Sequence, residues 1–236
     1  MRRPLSIMRV DRASGWVEFL YKPIGRGLAQ LAERVPGETV SLLGPIGRGF
    51  APEPDRPMIV AIAGGVGIPP VFFLAETLRG DARFETLILL GSEVPFPFPT
   101  AARHSAIAGL PADASHAVAE LESWGVPSAL ASNADFEGCH AGYVTDLARA
   151  WLATQPREML ARVQIVSCGP EPMLRATAAL AREYALPASL AVEEFMACGT
   201  GGCAGCIVPL HTASGTVMKR VCVDGPVFDA AELYPA

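Results

Sequence analysis

The sequence predicts a multidomain protein in which a β-rich N-terminal part precedes a parallel α/β domain and a small cysteine-rich C-terminal module. Strand-like segments with turns extend to about Phe50, whereas short apolar strands alternate with helical segments from Met58 onward. Glycine and cysteine become frequent after Glu194. We therefore divide the chain into residues 1–53, 54–190 and 191–236.

The N-terminal part contains two segments that predict strands of a β-barrel or sandwich. WVEFLYK (16–22) alternates apolar and polar residues, and ETVSLLGPIGRGF (38–50) is an apolar run closed by glycines. The next segment, APEPDRP (51–57), is rich in proline, which removes backbone donors and stiffens the chain. It predicts a linker with a domain boundary near Pro54.

The middle of the chain predicts a parallel sheet covered by helices on both faces. Segments such as MIVAIAGG, FETLILLG and RVQIVSCG are continuous apolar runs, and helical patterns separate them. ADASHAVAELESW (112–124) predicts a helix, while VPFPFPT (94–100) predicts no regular element. Sheets of this type bind ligands at the carboxyl ends of their strands.

Composition excludes several classes of protein. The net charge of -5 over 236 residues argues against a protein that neutralises many nucleic-acid phosphates. MRRPLSIMRVDR lacks the apolar core of a secretory signal, so we expect a cytoplasmic protein with free thiols. The uncharged run from Pro57 to Ala75 is interrupted by glycines and prolines, which predicts a strand, a loop and a helix and no membrane span.

The C-terminal cysteines have the spacing of a [2Fe-2S] site. Cys198, Cys203 and Cys206 form C-x4-C-x2-C, and Cys222 follows as a distant fourth cysteine. This is the ligand pattern of plant-type ferredoxins, in which one loop supplies three thiolates and a separate segment the fourth. Glycines within ACGTGGCAGC (197–206) allow the loop to fold tightly and its amides to approach the sulfurs.

Three other interpretations of these cysteines stay open. Structural zinc usually takes two C-x2-C pairs, and this segment has one. A thioredoxin-like Cys203-Ala-Gly-Cys206 site leaves Cys198 and Cys222 without a role, and disulfides contradict the cytoplasmic expectation. The solitary Cys139 fits a small buried side chain.

Two glycine turns predict a dinucleotide site. AGGVGIPP (63–70), with Gly64, Gly65 and Gly67, follows a strand and leads into a helix, so its amides can face a pyrophosphate. A tight turn without a ligand would also select glycine. Cys168 and Gly169 lie at the end of a second strand, at the same predicted edge of the sheet. Two such turns favour an NAD crevice. Cys168 would then lie near the nicotinamide, although packing in the core also explains it. Glu93 follows a third strand, where a carboxylate favours NAD over NADP.

Taken in order, the motifs resemble the electron-transfer subunit of NAD-dependent (type B) dihydroorotate dehydrogenase, within the ferredoxin-reductase superfamily. The resemblance covers nearly the whole chain, and its most specific part is the pairing of EEFMACG with RVCVDGPVF. The motifs that carry it are RRPLSI, YKPIGRG, LLGPIGRGF, AGGVGIPP, CGPEPM, AVEEFMACGTGGCAGC and KRVCVDGPVF.

The resemblance implies an FAD-binding β-barrel, an NAD-binding α/β domain and a [2Fe-2S] module. It maps the flavin site onto Arg3, Pro4, Leu5, Ser6, Leu20, Tyr21, Lys22, Gly27 and Leu28. Arg3 would pair with the FAD pyrophosphate and Ser6 would approach the isoalloxazine. Leu28 stands where threonine is common in the family, so one hydrogen bond to FAD is lost.

The resemblance also implies a partner and a division of labour. A catalytic subunit containing FMN oxidises dihydroorotate in pyrimidine biosynthesis, and two copies of each subunit form a heterotetramer. Electrons then pass through the cluster and FAD to NAD+, so this chain needs no acid–base catalytic residue. FAD is required because nicotinamide exchanges electron pairs and the cluster single electrons.

Two departures from the family lead to rival hypotheses. Family members carry further barrel strands before RPxS, so we expect either a start codon placed too late or a truncated flavin domain. Residues 93–126 also match the family poorly. The rivals are a reductase subunit for an oxygenase, hydrogenase or sulfite reductase, and a non-enzymatic iron–sulfur redox sensor or interaction protein that has lost flavin.

Overall fold

The computed structural model describes residues 3–235, so Arg2 of the RRPLSI motif lies outside the described residues. Its strands are β1 (Ile7–Asp11), β2 (Trp16–Phe19), β3 (Met58–Gly64), β4 (Glu85–Gly91), β5 (Thr100–Ala102), β6 (His116–Val118), β7 (Ser128–Ser132), β8 (His140–Ala141), β9 (Val163–Cys168), β10 (Ala188–Ala191), β11 (Ile207–Thr212), β12 (Gly215–Arg220) and β13 (Val227–Asp229). Its helices are α1 (Gly25–Ala32), α2 (Ile68–Leu78), α3 (Ala119–Ser123), α4 (Val144–Ala153), α5 (Arg157–Leu160), α6 (Glu171–Glu183) and α7 (Ala230–Leu233).

A seven-stranded sheet in the order β13-β10-β9-β3-β4-β7-β8 forms the centre of the molecule. All neighbouring strands pair in parallel except β13, which is antiparallel to β10. Every residue of β3 is buried. Its side chains alternate between two apolar clusters, with Val60 and Ile62 in one and Ile59 and Ala61 in the other. Continuous apolar strands arise here because both faces of the sheet are covered.

The uncharged run Pro57–Ala75 folds as β3, a short 3-10 turn over Gly65–Gly67 and the first part of α2. Pro69 occupies the first turn of α2, where the proline nitrogen needs no hydrogen bond. No helix within residues 3–235 is long and apolar enough to span a bilayer.

Where a partial, N-terminally truncated barrel is predicted, the described N-terminal residues form one two-stranded ribbon. Its strands β1 and β2 form an antiparallel ribbon, and the salt bridge from Arg9 to Glu120 of α3 ties that ribbon to the central domain. The predicted strand over residues 38–50 is wrong, because only Arg48 makes a β-bridge, with Pro226. Residues 38–49 are exposed, and no strand of the described chain lies beside them to complete a ladder.

The proline-rich segment 51–57 lacks regular structure, as predicted, but it is fixed to the central domain. The Gln164 side chain accepts a hydrogen bond from the Glu53 amide at 3.0 Å and donates one to the Glu53 carbonyl at 2.9 Å. Arg56 donates to the carbonyl of Val163 at 2.9 Å. These hydrogen bonds fix the segment alongside the first residues of β9.

The helix predicted over residues 112–124 is only half correct. Residues 116–118 form β6, which pairs with β5, and the helix α3 begins at Ala119. Phe96 and Phe98 of the irregular segment stack near Phe72, with centroids of Phe72 and Phe98 5.3 Å apart. This aromatic packing holds the segment against the sheet and lets β5 reach β6.

The C-terminal segment shares the main core. Strands β11 and β12 form a two-stranded ribbon, while β13 adds to the edge of the central sheet. Val208, Leu210 and Val221 belong to the same buried cluster as Val60 of β3. The segment therefore gains stability from the α/β domain without needing a separate core.

Candidate functional site

The four C-terminal cysteines are brought together by the β11–β12 ribbon. Ile207 pairs with Arg220, so Cys206, just before β11, lies beside the turn that carries Cys222, just after β12. The Val221 amide donates to the Cys206 carbonyl at 2.9 Å and fixes this arrangement. Cys206 and Cys222 are buried, whereas Cys203 is exposed and Cys198 half-buried, and all four are free thiols.

Electrostatic contacts connect the four thiols, Cys198 with Cys203 and Cys222 with both Cys206 and Cys198. Within residues 3–235 no three Cys, His, Asp or Glu side chains are grouped to hold one metal ion. Four thiolates are what the two irons of a [2Fe-2S] cluster take together, and also what a single zinc ion can take.

Backbone amides of the loop point at the sulfurs. Thr200 donates to the Cys198 sulfur and Gly205 to the Cys203 sulfur, each at 3.4 Å. The Thr200 amide is the main reason that the pKa of Cys198 falls to about 6, which favours the ligating thiolate. Burial is the main cause that raises the pKa of Cys222, opposed by the Gly201 amide.

Gly201 is required by this geometry. Its φ is +82°, and a β-carbon there would lie 2.9 Å from the Val223 side chain. The loop therefore approaches the turn at Cys222 more closely than a larger residue would allow. The sequence pattern predicted this glycine-dependent closeness.

The two predicted glycine turns meet at the carboxyl edge of the central sheet. Ala63 of β3 pairs with Cys168 of the neighbouring β9, so the turn after each strand faces the other. A β-carbon on Gly67 would lie 2.5 Å from the nitrogen of Gly169 and closer still to the Cys168 carbonyl. The backbones touch at this point, and only glycine fits between them.

Gly64 and Gly169 shape the same edge. A β-carbon on Gly64 would lie 2.8 Å from the Met173 sulfur, and Gly169 also lies against Met173. Gly65 has a φ of +56°, which turns the chain from β3 toward the start of α2. The amino ends of α2 and α6 consequently lie close to both turns, as an anion-binding crevice requires.

Cys168 carries a neutral thiol at this edge. Burial, helped by the nearby charge of Glu193, raises the pKa of this thiol to about 12. A thiol of this kind cannot act as a nucleophile at neutral pH, so its possible roles are packing and contact with a ligand. The Cys168 thiol lies in the wall of the crevice and is separate from the four C-terminal thiols.

Glu93 lies two residues beyond β4 and is exposed. Its loop is anchored by the Ser132 hydroxyl, which donates to the Ser92 carbonyl at 2.6 Å. Ser132 ends β7, the neighbour of β4 in the sheet. The carboxylate therefore stands at the same edge as the glycine turns, on the side of β4 and β7.

The predicted flavin residues gather at one end of the N-terminal ribbon. Ile7 pairs with Phe19, so Pro4, Leu5 and Ser6 before β1 lie beside Leu20, Tyr21 and Lys22 after β2. The Arg3 guanidinium lies over α1, because a β-carbon on Gly27 would be 3.0 Å from the Arg3 Nε. Leu28 follows in the first turn of α1 and is half-buried.

Sequence analysis missed a contact between the N-terminal part and the cysteine module. The Arg48 amide donates to the Gly225 carbonyl, and a β-carbon on Gly47 would lie 3.3 Å from the Cys222 carbonyl. The motif LLGPIGRGF contains both residues, but its apolar pattern predicted a strand and gave no partner for it. This contact connects the N-terminal part directly to the segment that carries the fourth cysteine.

Comparison with known proteins gives matches over the C-terminal segment and over nearly the whole chain. Residues 193–234 match the family model described as the iron-sulfur cluster binding domain of dihydroorotate dehydrogenase B. The electron transfer subunits of dihydroorotate dehydrogenase B (NAD(+)) from Geobacillus kaustophilus and Bacillus caldolyticus are each 36% identical over 99% of this chain and 80% of their own length.

Solved structures show the fold. The NADH-dependent reduced ferredoxin-NADP oxidoreductase, studied for flavin-based electron bifurcation, has a TM-score of 0.74 at 23% identity over 98% of this chain and 74% of its own. The ferredoxin reductase of carbazole 1,9a-dioxygenase has a TM-score of 0.56 at 20% identity, covering 77% of this chain and 51% of its own. The fold is therefore that of the ferredoxin reductases, and the chain belongs to the family of dihydroorotate dehydrogenase B (NAD(+)) electron transfer subunits.

Proposed function

We propose that this chain passes electrons between a [2Fe-2S] cluster, FAD and NAD on behalf of a dihydroorotate dehydrogenase catalytic subunit in pyrimidine biosynthesis. The observation that carries the proposal is the presence of four free thiols within the segment that matches the iron-sulfur family model. Free thiols throughout residues 3–235 agree with a cytoplasmic location, which is part of the proposal.

Cys198, Cys203, Cys206 and Cys222 are the proposed cluster ligands. The cluster supplies single-electron transfer when it is bound. The amides of Thr200, Gly201 and Gly205 direct their hydrogens at the sulfurs and so favour added negative charge there. The exposed loop that contains Cys203 leaves one side of the site open for electron exchange with a partner.

The FAD site is proposed at the open end of the β1–β2 ribbon. FAD supplies the exchange between electron pairs and single electrons. Arg3 lies against the first turn of α1, so its positive charge and the nearby amides suit the pyrophosphate. Ser6 and Tyr21 provide hydroxyls beside the proposed ring position, while Leu28 provides none. The division into flavin, NAD and cluster domains at 1–53, 54–190 and 191–236 remains part of this proposal.

The NAD site is proposed in the crevice between the two glycine turns. The turn after β3 has no side chains at Gly64, Gly65 and Gly67. The pyrophosphate could therefore approach the backbone there and reach the start of α2. The neutral Cys168 thiol borders the position proposed for the nicotinamide, where an anionic sulfur would trap the oxidised ring. Glu93, on the far side of the crevice, would accept hydrogen bonds from the adenosine ribose and repel a 2′-phosphate.

We propose an electron path from flavin to cluster, and the contact between Gly47 and the Cys222 turn joins the two parts of the chain that this path would connect. This contact places the end of the N-terminal part against the peptide of a proposed ligand. The partner at the other end of the path is proposed to be an FMN-containing catalytic subunit, in a heterotetramer. No acid–base residue is assigned on this chain, because the catalytic subunit oxidises the substrate.

The proposal predicts dihydroorotate-dependent reduction of NAD+ when this chain is co-purified with the dihydroorotate dehydrogenase catalytic subunit. The assay follows NADH absorbance and compares the complex with the catalytic subunit alone, which should produce none. Equal NADH formation by the catalytic subunit alone would contradict the proposal. Failure to co-purify, with reduction of a different redox protein, would instead support a reductase that serves another system.

A further inference from the structure

Arg220 and Asp224 form a planar ion pair at the turn after β12. The Arg220 Nε donates to Asp224 Oδ2 at 3.0 Å and its Nη2 to Asp224 Oδ1 at 3.2 Å. The Arg220 backbone amide also donates to Asp224 Oδ2, at 2.8 Å. Both carboxylate oxygens are thereby fixed, which defines where the two charges lie.

The same guanidinium reaches the cysteine loop. The Arg220 Nη1 donates to the Gly201 carbonyl at 3.1 Å, and the Gly201 amide is directed at the Cys222 thiol. Arg220 also lies only two residues before Cys222, the proposed fourth ligand. The guanidinium is therefore held between Asp224 and the loop that contains the other proposed ligands.

Charge near a cluster changes its reduction potential because reduction adds one negative charge. A nearby cation stabilises the reduced form, and a nearby anion destabilises it. The side chains of Arg220 and Asp224 are 43% and 25% exposed, so solvent weakens both effects without abolishing them. Arg220 and Asp224 both lie in the motif KRVCVDGPVF, but sequence analysis assigned neither of them a role, and Arg220 is not a proposed cluster ligand.

We propose that Arg220 and Asp224 shift the reduction potential of the cluster in opposite directions, with the guanidinium favouring the reduced form and the carboxylate opposing it. The inference rests on the proposed [2Fe-2S] function. The step concerned is the gain of one electron by the cluster, delivered either by the catalytic subunit or by NADH through FAD, with no bond made or broken. Arg220 acts here as a positioning and electrostatic residue.

The test is a redox titration, followed by electron paramagnetic resonance, of the complex of this chain with its catalytic subunit. Arg220→Met should lower the equilibrium constant for cluster reduction by about threefold to tenfold, and tenfold corresponds to about 59 mV for one electron. Asp224→Asn should raise it by a similar factor. The double variant should return to within about twofold of the wild type, because both charges are removed.

Two control variants separate charge from mechanical support. Arg220→Lys keeps the positive charge but cannot make the two parallel hydrogen bonds to the carboxylate, and its reduction potential should stay near that of the wild type. Arg83→Met removes a comparable ion pair with two hydrogen bonds, which Arg83 makes to Asp81 between α2 and β4. This variant should not change the reduction potential of the cluster. Iron analysis of each variant reports whether the cluster is retained.

Shifts of the same sign in Arg220→Met and Asp224→Asn, or no shift in either, would overturn the inference. If Arg220→Met loses its iron, the Asp224→Asn variant alone tests the inference. An unchanged reduction potential in Asp224→Asn would then refute the inference. Absence of a cluster signal in the wild-type complex would instead refute the proposed function itself. The two failures are therefore distinguishable.

Discussion

Replacing Cys222 with serine is expected to remove the cluster, with bound iron falling to a small fraction of the wild-type content. Cys222 is the proposed fourth thiolate, and both it and Cys206 are buried. Loss of a residue that only supports a metal ligand typically costs about 10–100-fold in affinity, so loss of the ligand should cost about 100-fold or more. Iron and sulfide analysis of the purified complex measures this directly.

Cys139→Ser is the matched control for this variant. Cys139 is also partly buried, but it packs against the apolar cluster on the other face of the sheet, and burial raises the pKa of its thiol. Its substitution should leave iron content and the cluster spectrum unchanged. A Cys222→Ser protein with full iron content and an unaltered spectrum would contradict the ligand assignment.

Gly67→Ala is expected to disrupt the NAD crevice and destabilise the α/β domain. The new β-carbon would lie 2.5 Å from the Gly169 nitrogen and closer still to the Cys168 carbonyl, and neither backbone atom can move freely. Forcing the two turns apart should cost about 3 kcal/mol of unfolding free energy. It should also slow flavin reduction by NADH about 100-fold, because a misplacement of about 1 Å can cost that much.

Gly49→Ala is the control for the glycine substitution. A β-carbon on Gly49 meets nothing within 4 Å, so this variant should unfold and react like the wild type. Urea denaturation and rapid-mixing measurements of flavin absorbance compare the two variants. Wild-type rates of flavin reduction in Gly67→Ala would refute the assignment of this edge to NAD.

Local patterns carry most of the information behind the predicted cluster ligands. Three of the four cysteines lie within nine residues, Cys198–Cys206, and their spacing alone indicates the chemistry. The glycine turns were predictable for a similar reason, since each follows an apolar strand of a parallel sheet. Their mutual contact at Gly67 follows from β3 and β9 being neighbours.

Features that depend on distant partners were not predictable. The apolar segment 38–50 has the composition of a strand, but a strand forms only beside another strand, and the structure pairs this segment at Arg48 alone. Residues 112–124 suit both a helix and a strand, and pairing with β5 decides the outcome at 116–118. The ion pair of Arg220 with Asp224 depends on the fold of the turn after β12, which the sequence pattern does not define.

The sequence also did not predict where the C-terminal module packs. Its size predicted dependence on a metal or disulfide, whereas β13 and the buried side chains of β11 join the sheet and core of the α/β domain. Its contact with Arg48 adds a link to the N-terminal part. The segment with the proposed cluster ligands therefore contacts both the central sheet and the N-terminal part of the chain.

Reduction of the cluster by NADH tests the central claim most directly. The purified complex is mixed anaerobically with NADH and frozen, and its paramagnetic signal is compared with that of a dithionite-reduced sample. The account predicts a reduced [2Fe-2S] signal with both reagents, abolished for NADH when FAD is removed and restored when FAD is added back. A cluster that dithionite reduces but NADH does not, in a complex with full FAD content, would contradict it.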